Sequence, residues 1–494
     1  MRWPLFFLFG LMYFWHQTDK KMEKSKLLAL LRTFDSSELR AFKDFVGSPF
    51  FNKEETLTRL YHYLKKLAPQ KFPQEKINRQ EVYRELFPGE PYDERRLNHI
   101  SSGLFQLAEQ YIGLKEYAKQ GILAETHILE AHLERRQEKA YQHRFRKAQS
   151  RLEKAPLRDA QYHLQKSHLA RLSDQYFSIQ KLHRPDPSLQ EMADQFDVYC
   201  LSKKLSLLCE MQQRQQFLPV KYQLKLADET LSALERQEAL SENPCIAVYH
   251  TLFKALSGHT GRQDFQRFRQ LLTQHHSRFS EPEARKLYFS AINYCIHAIR
   301  IGKKEYTSQL MDLYIEGIKH GILLENGHIS PWTYKNIVKL GLGLKRFDWV
   351  ESFVREYSQY LSKEEREDAY HFNLADLFFH RQEYDKALGH LNQVEFSDIH
   401  YAVDAKATLL KIYYETRATE AYLSLHSAFK IFLKRNKNLS RNVRESYMNF
   451  IALLYQVFKQ GGKRQAQLEQ KIQSTNPLNG RAWLLHQLKE KQHT

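Results

Sequence analysis

The chain reads as an all-helical protein. Three observations point there. It carries only 18 Gly and 14 Pro in 494 residues, too few for the many tight turns of a sheet protein. No run alternates polar and apolar residues between such turns. Apolar residues instead recur at three- and four-residue steps, the period of a helix with one buried face. With 42% hydrophobic and 27% charged residues, the composition is that of a folded chain. Its length exceeds what one compact core holds, so several domains or an extended array are expected.

Five segments follow. Residues 1–21 contain the apolar run WPLFFLFGLMYFW behind Arg2. This run is too short to span a bilayer, which takes about 20 apolar residues. No small-x-small cleavage site follows it, since His16, Gln17 and Thr18 come next. Met22 opens MEKSKLLALLRTFDSSELRAF, which flows into an amphipathic helix and reads as a non-secreted N-terminus. The reading therefore favours a start at Met22 and a cytoplasmic protein. A membrane-attached variant would require residues 1–21 to be retained.

Residues 22–120 form an N-terminal helical module. Asp35 and Glu38 have the spacing of a capping box ahead of Leu39, Phe42 and Val46. Gly47 and Ser48-Pro49 end that helix. Asn52 is positioned to cap the next one, which carries Leu57, Leu60, Tyr61 and Leu64. Asn78 starts a short helix that Pro88-Gly89 stops, and Asp93 opens a long one through Ile112.

Residues 121–242 read as long basic helical hairpins divided by prolines. Arg135, Arg136, Lys139, Arg144, Arg146, Lys147, Arg151 and Lys154 crowd one helix. Residues 243–470 contain an internal repeat, and 471–494 form a C-terminal tail helix. The repeat shows in GRQDFQRF, GKKEYTSQ, LKRFDWV and HRQEYDKA. Their aromatic residues Phe265, Tyr306, Phe347 and Tyr384 lie 41, 41 and 37 residues apart. Self-similarity at such a period is the mark of stacked helical hairpins.

Within NLADLFFHRQEYDKALGHLNQV, Leu374, Ala375, Phe378, Tyr384, Ala387, Leu391 and Val394 carry a resemblance to the tetratricopeptide-repeat family. Small residues there let paired helices approach closely. The neighbouring units have Gln309 and Val350 in place of Ala387. The C-terminal half also resembles a group of uncharacterised bacterial helical-repeat proteins. The resemblance implies antiparallel helical hairpins stacked as a TPR-like α-solenoid, and no particular activity.

The net charge of +18 favours anionic partners, although exposed lysines and arginines covering solvated helices are the weightier account of it. Cys200, Cys209, Cys245 and Cys295 form no Cys-x-x-Cys pair and no disulfide framework. There is no phosphate-binding glycine loop: Gly341-Leu342-Gly343 is a fragment that the repeat assigns to a hairpin turn. There is no His-Glu-x-x-His and no Gly-x-Ser-x-Gly. His275-His276 belongs at a helix end. No enzyme, metal or cofactor is expected.

A non-catalytic scaffold for protein partners is the leading reading, with a peptide or helix held on the repeat surface. Lys335, Asn336, Lys339, Asn373 and Asp376 are the candidate contacts, being polar residues beside the core stripe of first helices. The alternative is a nucleic-acid-binding regulator. Residues 77–112, INRQEVYRELFPGEPYDERRLNHISSGLFQL onward, resemble the second and third helices of winged-helix domains. Recognition would then fall to Arg95, Arg96, Asn98 and His99, next to Asp93.

Overall fold

A computed structural model describes residues 25–68, 79–180, 185–258, 261–394, 399–436, 439–459 and 465–490. The apolar run and Asn78 lie outside these residues. The protein is all-α: the described residues form 24 α-helices and one two-stranded antiparallel sheet of four residues. Two compact units divide the described chain, and the division falls within one helix, at Cys200/Leu201. The sequence predicts boundaries at 120/121 and 242/243 instead.

The first unit opens with α1 (Lys26–Leu31), α2 (Ser36–Val46), α3 (Glu55–Lys66), α4 (Arg79–Leu86) and α5 (Glu94–Lys119). Asp35 caps α2 by accepting from the amides of Ser37 and Glu38, while Glu38 accepts from the Asp35 amide. This reciprocal arrangement is the expected capping box. Asn52 does not cap α3. Its carboxamide bridges the Glu54 amide and the Val46 carbonyl, tying the α2–α3 connection shut. Phe42 and Tyr61 meet edge-to-face at 5.0 Å in the middle of this core.

The unit continues with α6 (Ile122–Glu134), α7 (Glu138–Lys154) and α8 (Ala160–Ile179) around Leu129, Tyr141 and Leu172. Then α9 (Ser188–Phe217) leads on.

The second unit is a succession of helix pairs. After α10 (Ala227–Arg236) and α11 (Glu238–Ser241), the pairs are α12 (Pro244–Ser257) with α13 (Gly261–His275), and α14 (Glu281–Arg300) with α15 (Tyr306–Lys319). Strands β1 (Leu324–Glu325) and β2 (His328–Ile329) precede α16 (Pro331–Gly343), which pairs with α17 (Phe347–Tyr357). Next come α18 (Lys363–His380) with α19 (Tyr384–Leu391), and α20 (Ile399–Glu415) with α21 (Thr419–Arg435). The last are α22 (Arg441–Lys459), α23 (Gln465–Ser474) and α24 (Arg481–Glu490), so 471–494 holds the end of one helix and the whole of another.

From α16 onward each first helix also packs on the next first helix: α16 on α18, α18 on α20, α20 on α22. Phe265 lies in α13, and Tyr306, Phe347 and Tyr384 begin α15, α17 and α19, as the repeat predicts. Gly341 lies inside the last turn of α16 and not in a hairpin turn. A Cβ there would stand 2.5 Å from a Val350 methyl, so the α16–α17 crossing requires glycine.

Candidate functional site

Packing first helix against first helix brings one polar stripe from each into a shared face. On α20 the stripe is Asp404, Thr408, Lys411 and Glu415, spaced to fall on one side of a helix. On α16 it is Trp332, Lys335 and Lys339; on α18, Asp376 and His380; on α24, Trp483 and Gln487.

Asp404 anchors one end. Lys335 donates to its Oδ2 and Tyr447 to its Oδ1, while the Lys339 ammonium lies 3.9 Å from Oδ2. Burial by itself would raise the Asp404 pKa, but the two lysines and the Tyr447 hydroxyl hold it well below the ordinary carboxylate range. The Lys335 ammonium also sits among Trp332, Phe372 and Tyr401, 5.1–5.4 Å from their centroids. Burial opposes protonation of Lys339, yet Asp404 and Asp376 outweigh it and raise its pKa. Its side chain remains 37% exposed.

Lys411 anchors the other end. Phe379, Phe450 and Trp483 surround its ammonium at 5.6–5.8 Å. Desolvation lowers its pKa against the pull of Asp376, Asp404 and Glu415. Glu415 Oε1 accepts from Trp483 Nε1 at 3.0 Å and from Gln487 Nε2 at 2.7 Å. Burial raises the Glu415 pKa despite those donors. Three cationic and three anionic side chains thus interleave among aromatic rings on five helices.

The five expected contact residues separate. Lys335, Lys339 and Asp376 belong to this face, although Lys335 and Asp376 are themselves buried. Asn336 is half-buried on α16 beside it. Asn373 is fully buried, its amide donating to the Ala369 carbonyl one turn back. Asp404, Lys411, Glu415, Tyr447 and Trp483 are not among the residues the sequence singles out. The detectable signal was the polar stripe at Asp404, Thr408, Lys411 and Glu415 in an otherwise apolar helix.

The winged-helix candidates sit at the start of α5, where Asp93 caps the helix by accepting from the Arg95 and Arg96 amides. Arg95 and His99 are exposed. Arg96 pairs with Glu90 and lies 3.7 Å over the Phe87 ring, and Asn98 accepts from Arg79. The helix runs unbroken to Lys119, and among the described residues no strand pair follows it within this unit. On the basic helix α7, Arg144 pairs with Glu125 at 2.6 Å.

None of the four cysteines is in a disulfide. Among the described residues, no three His, Cys, Asp or Glu side chains converge as metal ligands, and no helix is long and apolar enough to cross a membrane. Comparison of the chain with protein families, curated proteins and solved structures returned no match.

Proposed function

We propose that the protein is a non-catalytic interaction scaffold. In this reading its helix pairs from α12 onward form a TPR-like α-solenoid, and the polar face of the first helices α16–α24 receives an extended segment of a protein partner. The observation that carries this is the interleaving of Lys339, Lys411, Asp376 and Glu415 on the first helices α16, α18 and α20 with the Trp332 ring of α16 and the Trp483 ring of α24. Charges of both signs fix the direction and register of a bound chain, and aromatic rings supply contact area at low entropic cost. The half-exposed Lys339 and Lys411 are the expected points of contact.

The test is capture of partners from native lysate on the full chain, with and without nuclease. Proteins retained by the wild type and by Lys434→Glu, on the exposed side of α21, should be lost from Lys339→Glu/Lys411→Glu. Retention by all three chains would overturn the assignment of this face. Recovery of nucleic acid alone, released between low and moderate salt, would replace the scaffold with the regulator reading.

A further inference from the structure

Helix α9 is, at 30 residues, the longest among the described residues, and it is apolar on two sides. Val198, Ser202, Leu205 and Cys209 point inward and are buried. Facing away from them, Leu189, Ala193, Phe196, Cys200, Lys203 and Leu207 are all exposed. Leu189, Phe196 and Leu207 keep 58%, 49% and 54% of their surface in water, which is costly for such large side chains. The six residues follow one another at alternating steps of four and three. That average of about 3.5 residues is the spacing of a coiled-coil seam.

We propose that this strip is the interface of an antiparallel homodimer. The strip is its own complement when a second copy runs the other way about a dyad at Val198. Leu189 then faces Leu207 of the second copy, Ala193 faces Lys203, and Phe196 faces Cys200. Large residues meet at the ends, and the smallest meets the longest side chain.

The charges agree with this direction. Exposed Asp194 and Asp197 flank the N-terminal half of the strip, while Lys203 and Lys204 lie in its C-terminal half. Antiparallel pairing sets each Lys203 against Ala193 of the second copy, within a turn of Asp194 and Asp197. Parallel pairing in register would instead drive Lys203 against Lys203 within the seam. The strip is about 27 Å long at 1.5 Å per residue. It would bury on the order of 1,000 Å², the low end for a specific interface.

The experiment is sedimentation equilibrium of the full chain across a concentration series. The mass should rise from 58.9 kDa toward twice that value. Phe196→Asp should weaken association about ten-fold or more without moving the melting temperature, since Phe196 is exposed. Lys203→Glu should weaken it too, and adding Asp194→Lys and Asp197→Lys should restore it. Lys203→Glu carries the test alone if Phe196→Asp fails to fold. Direction is read by mixing native chain with Phe196→Cys/Cys200→Ser chain under mild oxidation. The thiol introduced at position 196 and the native Cys200 of the second copy are opposed only in the antiparallel register, so a disulfide-linked heterodimer is expected. A chain that stays monomeric throughout leaves the strip to some other protein and overturns the proposal. A dimer indifferent to both Phe196→Asp and Lys203→Glu overturns it equally.

Discussion

Lys335 on α16 and Asp404 on α20 are 69 residues apart in sequence and form an ion pair that reaches over α18, the helix between them in the packing order. Tyr447 closes the other side of the carboxylate. The contact links three helix pairs, so local loosening of one exposes charge in all three.

Removing one partner of such a pair leaves an uncompensated buried charge. Asp404→Ala should destabilise the second unit by about 3–5 kcal/mol, whereas Lys335→Met/Asp404→Leu should lose less, because both charges leave together. Urea unfolding of the single and double variants measures this, and equal losses would sink the explanation. The pH dependence has a definite sign. The folded carboxyl titrates below its unfolded value of about 3.9, so the native state binds fewer protons there. Its contribution is complete above that value and is lost as the pH falls further. Asp404→Ala should show a correspondingly weaker acid dependence.

Glu415 behaves in the opposite sense. Burial raises its folded pKa above the unfolded value, so the ionised form costs stability at neutral pH. That cost disappears as the pH falls through the folded pKa and then past about 4.3. Glu415→Gln keeps an acceptor oxygen for Trp483 and Gln487. It should raise the melting temperature at pH 7, with the gain vanishing near pH 4. A loss of stability at both pH values would show that the charge itself is needed.

Gly341 separates helix propensity from packing. In an exposed helix, glycine to alanine stabilises by about 1 kcal/mol. Here the added methyl would meet Val350 at 2.5 Å, with the Trp349 ring at 3.5 Å, and overpacking of a tight crossing costs about 1–3 kcal/mol. Gly341→Ala should therefore be destabilising, and Gly341→Ala/Val350→Ala less so than the two single effects added together. Thermal melts of the three variants decide this.

Local chemistry was legible in the sequence. The capping pair Asp35 and Glu38 does what its spacing predicts, and the recurring Tyr306, Phe347 and Tyr384 each open a second helix. Such features depend on residues within one or two turns of each other, and the helical period carries that information directly. Asn52 shows where local reading stops. Its side chain had a choice between the start of α3 and the Val46 carbonyl, and the path of the connection settled it.

The helices and their pairing into hairpins thus follow from the order of residues alone, whereas the polar stripe of α20 stood out only once the helices were stacked. What the stripes do depends on how the pairs pack. Asn373 and Lys339 look alike as polar neighbours of a core face, yet the assembled stack buries the first completely and leaves the second partly in water. Asp404 meets Lys335 because three first helices stack in succession, and no local pattern encodes a meeting across 69 residues. Periodicity fixes which side of a helix is apolar. Which neighbour covers the remaining sides is a property of the assembled stack.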